Sequence, residues 1–141
     1  MEREGEGWRL AWESQREPFP VLIGGEGWAS ELSAPEARAL ATALQALLTQ
    51  HQSLVDTLME EEAITLEWTG SIPGPPSREG GELWVALEGD RRAWTLRLLL
   101  RPVVNTRALE AFWARGAAAA FARAYADVVG EALATLVPPD P

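Results

Sequence analysis

Phe19-Pro20-Val21-Leu22-Ile23-Gly24-Gly25-Glu26-Gly27-Trp28-Ala29-Ser30-Glu31-Leu32-Ser33-Ala34-Pro35-Glu36 is the stretch that decides the fold. Val21-Leu22-Ile23 reads as a short strand. The glycines after it tolerate positive φ, so the chain can reverse and leave through Trp28–Leu32 as the next strand. Ser33 and Glu36 then stand at capping-box spacing: the serine oxygen accepts from the backbone N–H three residues on, and the glutamate reaches back. Proline is tolerated in that first turn. Two antiparallel strands run straight into a helix. The same glycines are a turn requirement first and a weak match to a phosphate cradle, because no helix starts directly after them and no Gly-Lys-Ser/Thr ending is present.

Upstream, Trp8, Leu10 and Trp12 alternate with Arg9, Ala11 and Glu13, which predicts a strand with one buried face. Downstream, Leu40, Leu44, Leu47, His51, Leu54 and Leu58 step by four and three, predicting a helix to about Glu61. Ile64, Leu66 and Trp68 predict a fourth strand. Residues 70–81, rich in glycine and proline, predict a flexible surface loop. Leu83, Val85 and Leu87 give a fifth strand, and a turn at Glu88–Arg92 leads to a sixth. There Trp94, Leu96, Leu98 and Leu100 take one face, and Thr95, Arg97, Leu99 and Arg101 the other. After an irregular stretch, apolar residues from Leu109 to Leu136 predict a second helix that Gly116 can divide. Residues 137–141 read as a frayed tail. The expected architecture is α+β, two antiparallel β-meanders each followed by a helix (βββα-βββα), in a single domain over residues 1–141.

Composition narrows the chemistry. Of 141 residues, 12 are basic and 21 acidic, for a formal net charge of -9. Every basic residue is arginine, cysteine is absent and His51 is the only histidine. That excludes a Schiff-base lysine, a thiol nucleophile, disulfides and thiolate or multi-histidine metal sites. No basic-then-apolar leader stands at the start, and no apolar run approaches the roughly 20 residues of a membrane helix. The expected location is therefore cytoplasmic, with no membrane association. The expected role is non-enzymatic, with no cofactor and no metal.

Two sets of residues are candidates for binding. Residues 91–107 hold five arginines and no acid. Arginine grips phosphate bidentately and stacks on bases, so Arg97 and Arg101 on one strand face, with Arg91, Arg92 and Trp94, and Trp84 on the neighbouring strand, form a candidate single-stranded nucleic-acid contact. Against this, the same arginines can neutralise Glu60, Glu61, Glu62, Glu67 and Glu88 within one molecule, and a net negative field repels phosphate. The alternative is an acidic adaptor or assembly factor that offers Glu60, Glu61 and Glu62 to a basic protein. In that reading the first helix's stripe serves as a homodimer seam, and His51 is the polar residue setting its register. As a metal site the acid triplet is weak, since consecutive carboxylates diverge.

Glu6–Trp12, Phe19–Leu32 and Leu58–Glu62 resemble a small cyanobacterial family of unknown function. That family's fold is grouped with the single-stranded-DNA-binding transcriptional regulators typified by plant Whirly proteins and the positive-cofactor-four coactivator. The resemblance runs through about Arg101; residues 70–81 look like an insertion, and 102–116 match weakly. It implies a Whirly-like fold of β-meanders each followed by a helix, oligomers formed through the helices, and a transcription-related binding role. It carries no nucleic-acid motif over residue by residue.

Overall fold

The structure, a computed structural model, describes residues 1–72, 80–101 and 108–135. Its elements run β1 (Glu2–Gly5), β2 (Trp8–Trp12), β3 (Val21–Gly25), β4 (Trp28–Leu32), α1 (Ala34–Leu54), β5 (Ile64–Ser71), β6 (Glu82–Gly89), β7 (Trp94–Arg101), β8 (Leu109–Trp113) and α2 (Ala117–Tyr125). A π-helical turn, Ala126–Gly130, and α3 (Glu131–Thr135) follow. Two antiparallel four-stranded meanders, β1-β2-β3-β4 and β5-β6-β7-β8, are each followed by a helix.

Each meander thus has one strand more than the sequence pattern indicates. β1 escapes because all four of its residues are exposed, so no apolar period marks it. It pairs with β2 through a two-residue turn in which Gly7 takes φ +82°, and the β3–β4 turn repeats this at Gly27 with φ +79°. Both turns are written Gly-Glu-Gly-Trp, at 5–8 and 25–28. In each, the first glycine stands opposite the tryptophan, and a Cβ there would meet the indole ring. β8 occupies what the sequence reads as the start of the second helix. Ala111 and Trp113 face in while Glu110 and Phe112 face out, and Gly116 at φ +86° turns the chain into α2.

α1 begins at the expected cap: Glu36 N–H donates to Ser33 Oγ at 3.3 Å, and Ser33 N–H to Glu36 Oε1 at 2.8 Å. It ends at Leu54, about two turns earlier than the apolar spacing predicts. Thr57 N–H and Leu58 N–H both bond Leu54 O, and the chain turns away there. Glu60–Glu62 therefore lie beyond the helix and do not crowd the negative end of its dipole. The predicted 70–81 loop is shorter too: Gly70 and Ser71 belong to β5 and Ile72 is buried. Residues 73–79 and the predicted tail lie outside the described residues, as do residues 102–107.

The helices are exchanged between the halves. α1, which follows the first sheet, packs on β5 and β6 of the second; α2, which follows the second sheet, packs on β1 and β2 of the first, and also on β7. One core results, with Leu10, Val21, Ile23, Leu40, Leu47, Leu87, Leu96, Leu98, Trp113 and Phe121 almost wholly buried. The stripe read as a dimer seam is inside this core. His51 is 9% exposed, its Nε2 lies 3.0 Å from Asp90 O, and its ring meets Trp94 edge-on at 6.1 Å. As a register-setting residue for a second chain it is displaced, because its polar atom is satisfied by its own β6–β7 turn. No helix among the described residues is long and apolar enough to cross a membrane.

A candidate binding face on the second sheet

The outer face of the second sheet is built by period-two alternation and its cross-strand register. One row reads Glu67, Ala86, Arg97, Phe112; the next reads Thr69, Trp84, Leu99, Glu110; beyond it Ser71, Glu82 and Arg101 stand abreast. Trp84 and Leu99 are half-buried, and Phe112 is 45% exposed, one of three large apolar side chains so exposed among the described residues. The Arg97 guanidinium lies 5.9 Å from the centre of the Phe112 ring, within cation–π reach. Trp84 Nε1–H donates to Glu67 Oε2 at 3.4 Å.

A groove of about 580 Å³ runs beside this face. One wall is Trp84, Arg97, Leu99, Glu110 and Phe112; the other is the β3–β4 turn of the first sheet, with Glu26 and Trp28. Trp28 joins the walls, donating its indole N–H to Phe112 O at 3.3 Å and meeting Trp113 edge-on at 5.1 Å. A second depression of about 360 Å³ lies past Trp84 and Leu99, lined also by Thr69, Glu82 and Arg101. Two adjoining hollows separated by an apolar ridge suit an extended ligand. The groove lining offers no serine, threonine, tyrosine or histidine among the described residues; its ionisable groups are Glu26, Glu110 and Arg97. No cluster of acids and histidine suited to a metal ion occurs among the described residues either.

The sequence-predicted arginine set is only partly assembled. Arg97, Arg101 and Trp84 share the outer face. Trp94 does not: at 7% exposure it points into the core from the opposite side of β7. Arg91 and Arg92 sit in the β6–β7 turn, where both are exposed and Arg92 pairs with Glu60. The acid set is likewise divided, with Glu60, Glu61 and Glu62 exposed and His51 buried. Glu62 is engaged locally, accepting from Met59 N–H at 3.1 Å. Such exposed ion pairs contribute at most about 1 kcal/mol.

The turn between β6 and β7 is held by Asp90. Its Oδ1 accepts from Arg92 N–H at 2.8 Å and Ala93 N–H at 3.0 Å, and its Oδ2 lies 3.4 Å from Arg115. The Ala93 and Arg92 amides, aided by Arg115, hold the Asp90 carboxyl below its ordinary value. A carboxyl depressed in the folded state stabilises that state above its unfolded pKa, and the stabilisation fades as pH falls through the folded value. Asp90→Asn is therefore expected to lower the urea midpoint at neutral pH. The gap to the wild type should close below about pH 4. A gap that stays constant down to pH 2 would contradict this.

Comparison with known proteins places the chain. The profile of a domain of unknown function, DUF1818, matches residues 3–128. The chain belongs to the DUF1818 family. A fold close to this one is seen in the crystal structure of a protein of unknown function from Prochlorococcus sp. NATL2A, described as from the DUF155 family. The two share 32% sequence identity and a TM-score of 0.77, over 92% of this chain and 98% of that one. No curated protein matches. The DUF1818 profile runs from within β1 through every later strand and into the π-helical turn, so both hollows lie within the shared fold.

Proposed function

We propose that this protein is a non-enzymatic binding module whose ligand docks on the outer face of the second sheet, and that the ligand is an extended segment of a protein with a basic rim around an apolar side chain. The observation that carries the reading is the juxtaposition of Trp28, Trp84, Leu99 and Phe112 along two adjoining hollows. Aromatic and arginine side chains are the residues in which binding energy concentrates at protein interfaces. The charge around them selects the partner. Glu26, Glu67, Glu82, Glu88 and Glu110 outnumber Arg97 and Arg101 on and beside this face. A lysine- or arginine-bearing peptide meets attraction there, whereas a phosphate backbone meets repulsion. The adaptor role thus rests on this face rather than on Glu60–Glu62.

Single-stranded nucleic acid is the second reading. Arg97 and Arg101 carry no ion pair among the described residues, and the exposed rings could stack bases. The resemblance to Whirly-type regulators supports the same reading at the level of fold. Its weakness is that Arg91 and Arg92 lie in a turn away from Arg97 and Arg101, so no continuous basic strip forms among the described residues.

Selection of peptides from a displayed random library tests the proposal. Enriched peptides are expected to combine an aromatic or aliphatic residue with flanking lysine or arginine. Phe112→Asp is expected to weaken them by at least about tenfold without shifting the melting curve. Enrichment that survives Phe112→Asp unchanged would remove this face from the function. Binding of mixed DNA or RNA single strands at about 50 mM salt, falling steeply as salt rises, would replace the protein ligand by nucleic acid.

A further inference from the structure

Among the described residues β5 is an unpaired edge of the second sheet, and its register shows which groups it leaves without a strand partner. Ile72 N–H donates to Gly81 O across the hairpin. By antiparallel alternation residues 64, 66, 68 and 70 then bond toward β6, while Thr65, Glu67, Thr69 and Ser71 present their N–H and C=O groups outward. Edge strands are ordinarily guarded by lysine, proline or a bulge. β5 has none of these; its eight residues keep unbroken register and carry one charge, Glu67.

The helix beside this edge carries one charge near it, Arg38. α1 packs over β5, and its exposed Arg38 and Thr42 flank, with Trp68 and Ser71, a cleft of about 300 Å³. Thr42, Gln45, Thr49 and Gln52 continue that exposed stripe at helical spacing. From Ala39 to Val55 there is no Asp, Glu, Lys or Arg, in a chain of which 23% is charged. Depletion of charge is the compositional mark of an interface core. It also decides the occupant, because two chains of charge -9 repel each other wherever their acidic surfaces meet, whereas this edge and helix face carry only Glu67 and Arg38, which are of opposite sign.

We infer that the β5 edge and the adjoining face of α1 receive a second copy of this chain, β5 pairing antiparallel with the partner's β5 about a two-fold axis through Trp68. Directly opposite residues in an antiparallel pair share a face, so the axis must pass through a residue. Through Glu67 it would set two carboxylates against each other, which is destabilising. Through Thr69 it would shorten the overlap. Through Trp68 it sets Glu67 against the partner's Thr69, and Thr65 against the partner's Ser71, so all four outward residues exchange hydrogen bonds.

Sedimentation equilibrium of the full chain, from micromolar to millimolar concentration, reads the result. The wild type is expected to reach twice the chain mass. Thr69→Glu places a carboxylate opposite Glu67 of the partner subunit, twice by symmetry, and is expected to raise Kd about tenfold. Thr69→Lys places an ammonium there and is expected to leave Kd unchanged or lower it. Thr69 is exposed, so both variants should melt with the wild type. A chain that stays at single mass throughout, or a dimer on which the two substitutions act alike, would overturn the inference.

Discussion

Trp113→Ala is expected to destabilise the fold by about 4 kcal/mol, the range found when a large buried aromatic is truncated. Trp113 is 1% exposed. Its ring stacks on Phe121 with centroids 4.1 Å apart and planes 15° from parallel, and it receives the edge of Trp28. Its indole N–H donates to Gly24 O at 3.0 Å. The alanine variant thus loses packing against α2 and the bond from β8 to the first sheet together. Native stabilities of domains lie around 5–15 kcal/mol, so the variant is expected to sit near the edge of folding at 37 °C. Trp113→Phe keeps a ring against Phe121 and gives up the N–H; about 1–2 kcal/mol is expected. Urea unfolding followed by far-ultraviolet circular dichroism measures both. An alanine variant within 1 kcal/mol of the wild type would refute the role given to this ring.

Tyr125 joins the helices in the same manner. Its hydroxyl donates to Ala37 O in the first turn of α1 at 2.7 Å, and its ring, 1% exposed, lies against Phe121. Burial pushes the phenol well above its ordinary value, so it remains a protonated donor across the accessible pH range. Tyr125→Phe removes the donor alone and is expected to cost about 1–2 kcal/mol. Tyr125→Ala adds the cavity, for about 3–5 kcal/mol in total. If the two variants unfold at the same urea concentration, the ring contributes nothing beyond the hydroxyl, and the packing argument fails.

Alternation of side chains made most of this fold readable in advance. β2, β5, β6 and β7 each place an apolar residue at every second position, and the capping box at Ser33 marks α1 to the residue. What was not readable has physical causes. β1 is held by its backbone and buries nothing, so hydrophobicity is silent; the repeated Gly-Glu-Gly-Trp was the available signal. In β8, Leu109, Phe112 and Trp113 satisfy a helical spacing as well as Leu109, Ala111 and Trp113 satisfy a strand, and a short apolar run does not separate the two. That ambiguity hid half of the candidate face. Arg97, Arg101 and Trp84 were visible from their strand positions, but Phe112 and Glu110 come from a strand read as helix. Trp28 joins them only because the first sheet's turn reaches β8, a contact that no local pattern encodes. α1 stops at Leu54 with neither glycine nor proline to mark it, while Leu58 keeps the helical spacing and is buried from outside the helix.

The exchange of helices bears on what the covalent connection between the halves is for. The two halves share one core: α2 covers the first sheet and also β7, α1 covers the second sheet, and the bonds from Trp113 to Gly24 and from Tyr125 to Ala37 cross between them. Residues 55–63 therefore supply proximity in addition to the contacts made by the buried Leu58 and by Glu60 with Arg92. A linker of that kind acts as an effective concentration, turning what would be association of two separate molecules into an internal event. The architecture is that of a heterodimer written on one chain, with its assembly step made independent of how much protein the cell contains.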